Sequence, residues 1–159
     1  MSDMSFEPLG GGCKCGAVRL VLAGVPIITH RCHCRDRQQM SGAAFRINFM
    51  IERDRLTVTR GEPVMLEAHD GRKMRCGICQ YPLWGYHRLF GEAIAFVAAG
   101  LLDAAERLAP EVHFFTRSKH PWIRLPAGMP AFDTLGGPGK AGYRERIEAA
   151  LRSAGLAPP

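Results

Sequence analysis

Residues 75–79 read Arg-Cys-Gly-Ile-Cys and residues 13–15 read Cys-Lys-Cys, and together these two stretches decide the fold. In the first, two residues between the thiols let the backbone curl around a metal ion with its N–H groups directed at sulfur. This pair supplies only half of a site, because structural zinc takes four ligands in a tetrahedron. Glycines at positions 10–12 and 16 give residues 13–15 the backbone freedom to supply the other half. We therefore predict one structural zinc, held by Cys13, Cys15, Cys76 and Cys79.

All six cysteines of the 159-residue chain fall in close pairs, which unrelated core thiols would not do. The N-terminus carries no apolar signal, and the longest apolar stretch, Ala93 to Leu102, is too short to span a bilayer. We therefore expect a cytoplasmic protein without a membrane partner, where clustered cysteines hold metal more often than they form disulfides. A redox role is the main rival for Cys76 and Cys79, and it is disfavoured because no clear helical pattern follows them.

Composition and hydrophobic patterning predict a single, mainly β domain over residues 1–159. Hydrophobic residues make up 47% of the chain, and 18 Gly and 11 Pro favour short elements joined by tight turns. The continuous apolar run Ile94–Ala99 predicts a buried central strand, and Tyr143, Ile147 and Leu151 predict a C-terminal helix over about 140–153. Alternating residues predict strands over 13–24, 45–50, 55–59 and 111–115, with 25–30 as the antiparallel partner of 13–24.

The chain is basic, with a net charge of +6 and a pI of about 9.3. Such a charge attracts anions, whether nucleic acid, anionic lipid or small acidic molecules. The arginines are scattered among apolar residues rather than gathered in one tail. This distribution favours a solvated surface and disfavours a nucleic-acid partner.

Residues 32–34 read Cys-His-Cys and form a further thiol pair, flanked by Arg31, Arg35 and Arg37. The neighbouring positive charges are expected to depress the thiol pKa and favour thiolate. Two interpretations carry equal weight: an incompletely ligated zinc or reactive thiol pair, and structural cysteines beside charged surface residues. His113 lies in an apolar run and is predicted to be a core residue.

Several motifs in order resemble the glutathione-dependent formaldehyde-activating enzyme family, whose domain also occurs in centromere protein V. The resemblance runs from Gly11 to Phe132 and rests on residues 11–19, 32–34, 41–45, 75–79, 82–83, 99–103 and 119–122. It implies an Mss4-like fold of several coiled antiparallel sheets. It also implies a structural zinc on the same four cysteines.

The resemblance further implies a second, catalytic zinc bound by three cysteines in a Cys-His-Cys-x-x-Cys pattern, of which Cys32 and Cys34 are the first two. Enzymes of this kind are carbon–sulfur lyases that join formaldehyde to glutathione, giving S-hydroxymethylglutathione. Glutathione or a similar small thiol is therefore the implied partner. Arg72, Lys73 and Arg75 can attract the carboxylates of glutathione, and a solvated turn explains them equally well.

The sequence departs from the family pattern at the third cysteine, because residue 37 is Arg. A guanidinium cannot ligate zinc, since it stays protonated and offers no acceptor. The favoured outcome is a vacant second site with Arg37 near Cys32 and Cys34. The alternatives are a substitute ligand from His30, His33 or Asp36, and binding of an anionic substrate group by Arg37.

Another departure is Gln80, which follows the second thiol pair where the family has Gly. If this position requires a positive φ, Gln costs about 1 kcal/mol of strain.

Three functions from different classes remain open on the sequence. The leading hypothesis is a zinc-binding carbon–sulfur lyase relative in which Cys32 and Cys34 act on a thiol adduct such as S-hydroxymethylglutathione. The second is a non-catalytic, zinc-stabilised binding module for an acidic partner. The third is a thiol redox protein with a reversible Cys32–Cys34 couple.

Overall fold

The computed structural model describes residues 6–136 and 142–159, which form ten strands and two α-helices. The strands are β1 Leu9–Gly12, β2 Arg19–Leu22, β3 Ile28–Cys32, β4 Arg46–Glu52, β5 Leu56–Arg60, β6 Pro63–Ala68, β7 Gly71–Cys76, β8 Pro82–His87, β9 Ile94–Ala98 and β10 Val112–Phe114. The helices are α1 Arg35–Ser41 and α2 Tyr143–Ser153. Short 3-10 helices cover Arg53–Arg55, Ala99–Leu101, Ala105–Arg107 and Thr116–Ser118.

The strands form two sheets, with orders β1-β2-β5 and β10-β3-β4-β9-β8-β7-β6. Neighbouring strands are antiparallel except β10, which runs parallel to β3. This confirms the prediction of a mainly β fold of antiparallel sheets with a C-terminal helix. The predicted central strand is β9, which lies in the middle of the larger sheet and is almost entirely buried.

The predicted hairpin between residues 13–24 and 25–30 is wrong. The first strand is only Arg19–Leu22, because residues 13–18 form the turn that carries the first thiol pair. β3 belongs to the larger sheet and pairs with β4 and β10. Its residues are buried on both faces, whereas those of β2 alternate, which explains why the two strands lie in different sheets. The predicted helix start near 140 falls partly outside the described residues, and α2 begins at Tyr143.

Two apolar clusters lie on opposite faces of the larger sheet. On one face, Phe49 and Val97 pack with Leu20 and Leu56 of the smaller sheet. On the other, Met50 and Ile94 pack with Ile147 and Leu151 of α2. The register explains this division, since Phe49 is paired with Val97 and Met50 with Phe96, and adjacent residues on a strand point to opposite faces. Cys76 packs in the first cluster.

Candidate functional site

Four thiols from two distant parts of the chain meet where the two sheets join. The turn after β1 carries Cys13 and Cys15, β7 ends at Cys76, and Cys79 follows in the turn before β8. Their sulfur atoms all lie within 4.8 Å of one another. A tetrahedral zinc with Zn–S bonds of about 2.3 Å separates its sulfurs by roughly 3.8 Å. The distance from Cys15 Sγ to Cys76 Sγ is 3.8 Å and that from Cys13 Sγ to Cys15 Sγ is 3.4 Å, so this cluster can hold a metal ion.

The backbone around the four thiols is shaped to direct N–H groups at sulfur. Val18 N–H donates to Cys13 Sγ at 3.2 Å, and Ile78 N–H donates to Cys76 Sγ at 3.4 Å. The close turn at residues 13–18 requires Gly12, because a Cβ there would lie 2.2 Å from the Val18 carbonyl oxygen. These N–H···S hydrogen bonds stabilise negative charge on sulfur, which is the form that binds a metal.

The protonation of the four thiols also favours a bound cation. Burial raises the pKa of the Cys13 thiol, but the Val18 N–H and the neighbouring thiols outweigh it and bring the pKa to about 6. The pKa of Cys15 is lowered by the Ala17 N–H, yet its hydrogen bonds to Cys13 and Cys79 raise it to about 11. Thiols this close cannot all ionise together because their charges repel. A divalent cation among them would allow all four to become thiolates.

Gln80 has a φ of 59°, so this position does require the left-handed conformation. We expect Gln80→Gly to raise the free energy of unfolding by about 0.5–1 kcal/mol, because glycine adopts this φ without steric strain. The matched control is Gln39→Gly in α1, an exposed helical position where the same exchange is expected to destabilise by about 1 kcal/mol. Urea unfolding measures the free energy of unfolding of both variants. Destabilisation by Gln80→Gly would show that the turn is not strained.

The other thiol pair lies on the opposite side of the larger sheet, at the junction of β3 and α1. Cys32 ends β3 and is buried, and Cys34 is the N-cap residue of α1. The Cys32 thiol donates to Cys34 Sγ across 3.4 Å. This hydrogen bond lowers the pKa of Cys34 to about 6 against the opposing effect of burial, and the N–H and positive charge of Arg37 add to the lowering. The pKa of Cys32 is raised, first by the same hydrogen bond and then by burial.

Among the described residues, no third ligand completes a metal site at this pair. His33 Nε2 lies 2.9 Å from His113 Nδ1, and Asp36 accepts a hydrogen bond from Arg37 at 2.8 Å. His30 packs against Phe114, with ring centroids 4.9 Å apart. Within residues 6–136 and 142–159, the four-cysteine cluster is the one group of three or more metal-binding side chains. A second zinc therefore does not fit the residues around Cys32 and Cys34.

The segment between β3 and α1 is fixed by buried polar contacts. No sequence pattern predicts these contacts. His113 is 1% exposed, which confirms it as a core residue, but it also bonds to His33. Gln38 donates from Nε2 to the carbonyl oxygens of His33 at 2.8 Å and Ser118 at 3.0 Å. Burial, followed by the charges around it, lowers the pKa of His33 to about 4, so this histidine stays neutral near pH 7. His33 thus helps to hold the segment between β3 and α1 in place.

A small cavity of about 20 Å³ lies between α1 and the sheet, and its lining includes Arg37, Arg46 and Lys73. The register places these groups together, because Cys32 pairs with Arg46, and Gly85 pairs with both Phe96 and Lys73. The interpretation of residues 72–75 as a solvated turn is wrong, since they lie on β7. Arg72 is exposed and pairs with Glu67 and Glu92, whereas Lys73 faces the cavity.

A far larger groove of about 1250 Å³ runs between α2 and the segment after β4. Its lining contains no cysteine or histidine. Arg146 fixes α2 there by hydrogen bonds to the Glu52 carboxylate at 2.8 and 2.7 Å. The groove lacks the chemistry of the two thiol sites. Among the described residues, no helix has the length and apolar character needed to cross a membrane.

Comparison with known proteins adds three findings. A family model described as glutathione-dependent formaldehyde-activating enzyme matches residues 8–118. A crystal structure of a Rhodobacter sphaeroides protein is similar, with a TM-score of 0.49 and 18% identity, covering 60% of this chain and 88% of that one. A comparison with curated proteins finds no match. Because the family model spans all six cysteines and every strand from β1 to β10, the chain belongs to the glutathione-dependent formaldehyde-activating enzyme family.

Proposed function

We propose that this protein is a zinc-stabilised carbon–sulfur lyase that forms or breaks a thiol adduct of formaldehyde such as S-hydroxymethylglutathione. The observation that carries the proposal is the position of Cys34, a half-buried thiol at the N-cap of α1 that accepts a hydrogen bond from the Cys32 thiol across 3.4 Å. Its pKa, lowered to about 6, agrees with a thiolate at neutral pH. Cys34 lies beside Cys32 and Arg37 in a domain of the formaldehyde-activating family. Residues 1–159 act as one domain in this proposal.

The four-cysteine cluster supplies stability rather than chemistry in this scheme. A set of four sulfur ligands favours zinc among the common divalent ions. With all four positions taken by Cys13, Cys15, Cys76 and Cys79, no coordination position is left for substrate. The proposal needs all six cysteines reduced, as they are in the cytoplasm.

Cys34 acts as a proton shuttle in the proposed reaction. Its thiolate first takes the proton of the substrate thiol, leaving a substrate thiolate and a neutral Cys34. The substrate sulfur then attacks the carbonyl carbon of formaldehyde, a new C–S bond forms, and the carbonyl oxygen receives the proton from Cys34. The breakdown of the adduct is the reverse of these steps. Such proton transfer contributes about 100-fold or more to rate.

Cys32 and Arg37 set the protonation state that this shuttle needs. The Cys32 thiol and the Arg37 N–H both donate to Cys34, which favours its charged form. The raised pKa of Cys32 keeps that residue a thiol, so it remains a donor. The arrangement therefore holds one negative charge on the pair, at the half-buried sulfur rather than the buried one.

The test is exchange between free formaldehyde and its glutathione adduct, measured by NMR against the spontaneous rate. We expect the protein to accelerate exchange, and Cys34→Ser to reduce this acceleration by about 100-fold. Since the thiolate is the active form, acceleration should also be lost as pH falls through about 6. The control is Gln39→Ser, a substitution at an exposed position of α1 that leaves both thiols in place.

A parent protein that does not accelerate exchange, or a Cys34→Ser variant as active as the parent, would contradict the proposal. If the inactive parent is folded and metal-loaded, the binding module for an acidic partner becomes the better account, and the cationic cavity favours it. A redox protein would instead show a reversible Cys32–Cys34 disulfide, which their 3.4 Å sulfur separation permits.

A further inference from the structure

The cavity beneath α1 carries positive charge that its own lining does not neutralise. Arg37, Arg46 and Lys73 contribute to the lining, and no carboxylate does. Two of the three cations have partners just outside it: Arg37 pairs with Asp36 at 2.8 Å and Lys73 with Asp70 at 2.7 Å. Asp36 and Asp70 each accept a hydrogen bond from the cation with which they pair.

Arg46 is the cation left without such a partner. No ion pair within residues 6–136 and 142–159 includes it, and the hydrogen bond that its guanidinium makes there is to the Met40 sulfur, at 3.8 Å. Burial lowers the pKa of Arg46 and the nearby charge of Arg37 lowers it further, and Tyr81, Asp36 and Cys32 offset these effects only in part. A partly buried cation beside a second cation is costly unless an anion accompanies it.

Glycine at position 85 lets the Lys73 side chain lie against the sheet where it lines the cavity. Gly85 lies between Phe96 and Lys73, and a Cβ there would come within 3.1 Å of Lys73 Cδ. Asn48 brings a buried side-chain amide to the same lining, which adds polar capacity without charge. A volume of about 20 Å³ suits one or two oxygen atoms rather than a whole metabolite.

We propose that this cavity, which lies beside the Cys32–Cys34 pair, binds the oxyanion end of a small molecule, a carboxylate or a phosphate. A guanidinium presents paired N–H donors that match two oxygens of such a group, and Arg46 is the main contact. Arg37 and Lys73 add positive charge on either side. The site lies next to Cys32, since Cys32 and Arg46 pair directly across β3 and β4. The inference stands apart from the lyase proposal because it concerns binding and not turnover.

The experiment is a titration of ¹⁵N-labelled protein with acetate and, separately, with inorganic phosphate, at constant ionic strength set with chloride. We expect saturable shifts of the backbone amide signals of Arg46, Lys73 and Gly85 with at least one anion. The anion that saturates at lower concentration identifies the oxyanion as a carboxylate or a phosphate. Arg46→Met should weaken binding by about tenfold or more. Arg124→Met, at an exposed arginine, is the matched control and should bind as the parent does.

The same spectra report whether each variant is folded. If Arg46→Met does not fold, Lys73→Met replaces it, with weaker binding again expected. Shifts that do not saturate with either anion, or saturation that is equal in the parent and the folded variant, would overturn the inference. Neither result depends on formaldehyde exchange, so failure here is distinguishable from failure of the lyase proposal.

Discussion

Cys76→Ser is expected to abolish zinc binding and cooperative folding together. Cys76 is fully buried, ends β7 and packs in the apolar cluster between the two sheets. A structural zinc contributes about 10 kcal/mol or more to the folded state, which is comparable with the whole stability of a small domain. We therefore expect the free energy of unfolding to fall by about 5 kcal/mol or more. Elemental analysis and urea unfolding measure the two effects.

The matched control is Cys32→Ser, because Cys32 is also a buried cysteine at the last position of a strand. It makes the same chemical change without touching the four-cysteine cluster, so its zinc content should equal that of the parent. If both variants lose zinc equally, the metal is not held where the sulfur geometry indicates. If Cys76→Ser keeps its zinc and its stability, the cluster is not the metal site.

Arg37→Cys is expected to create a second zinc site. The Arg37 N–H already donates to Cys34, so position 37 lies next to that thiolate on the first turn of α1. The substitution removes a positive charge that opposes a metal ion and supplies the missing ligand at Cys-x-x-Cys spacing. With Cys32 and Cys34 it would provide three thiolates and an open fourth position. We expect zinc per chain to rise by about one.

Gln39→Cys is the control, since it adds a cysteine to the same helix at an exposed position without the required spacing. Its zinc content should not change. An Arg37→Cys variant that folds yet gains no zinc would show that something besides the missing ligand keeps metal away from Cys32 and Cys34.

Local sequence patterns were sufficient to predict the features built from adjacent residues. The spacing at 76–79 predicted half of a tetrahedral site, and the glycines around residues 13–15, together with the family resemblance, predicted which thiol pair supplies the other half. The unbroken apolar run at β9 predicted a strand covered on both faces, and the structure places it in the middle of the larger sheet. The positive φ of Gln80 was expected from the resemblance alone, since the family has glycine at this position.

Other features depend on register across several strands, which no local pattern contains. Arg46 and Lys73 line one cavity because β4, β9, β8 and β7 lie side by side in that order. The bond between His33 and His113 joins residues 80 positions apart through the parallel pairing of β3 and β10. The wrong prediction of a hairpin between residues 13–24 and 25–30 has the same cause. The turn at Gly24 is compatible with a following strand in either sheet.

The most direct test of this account is the zinc content of the unmodified protein, purified without added zinc or chelator. We expect one zinc per chain, bound by Cys13, Cys15, Cys76 and Cys79, with the site at Cys32 and Cys34 free of metal. Folded protein with almost no zinc would contradict the structural role of the cluster. Two zinc ions per chain would contradict the conclusion that no second metal fits at Cys32 and Cys34.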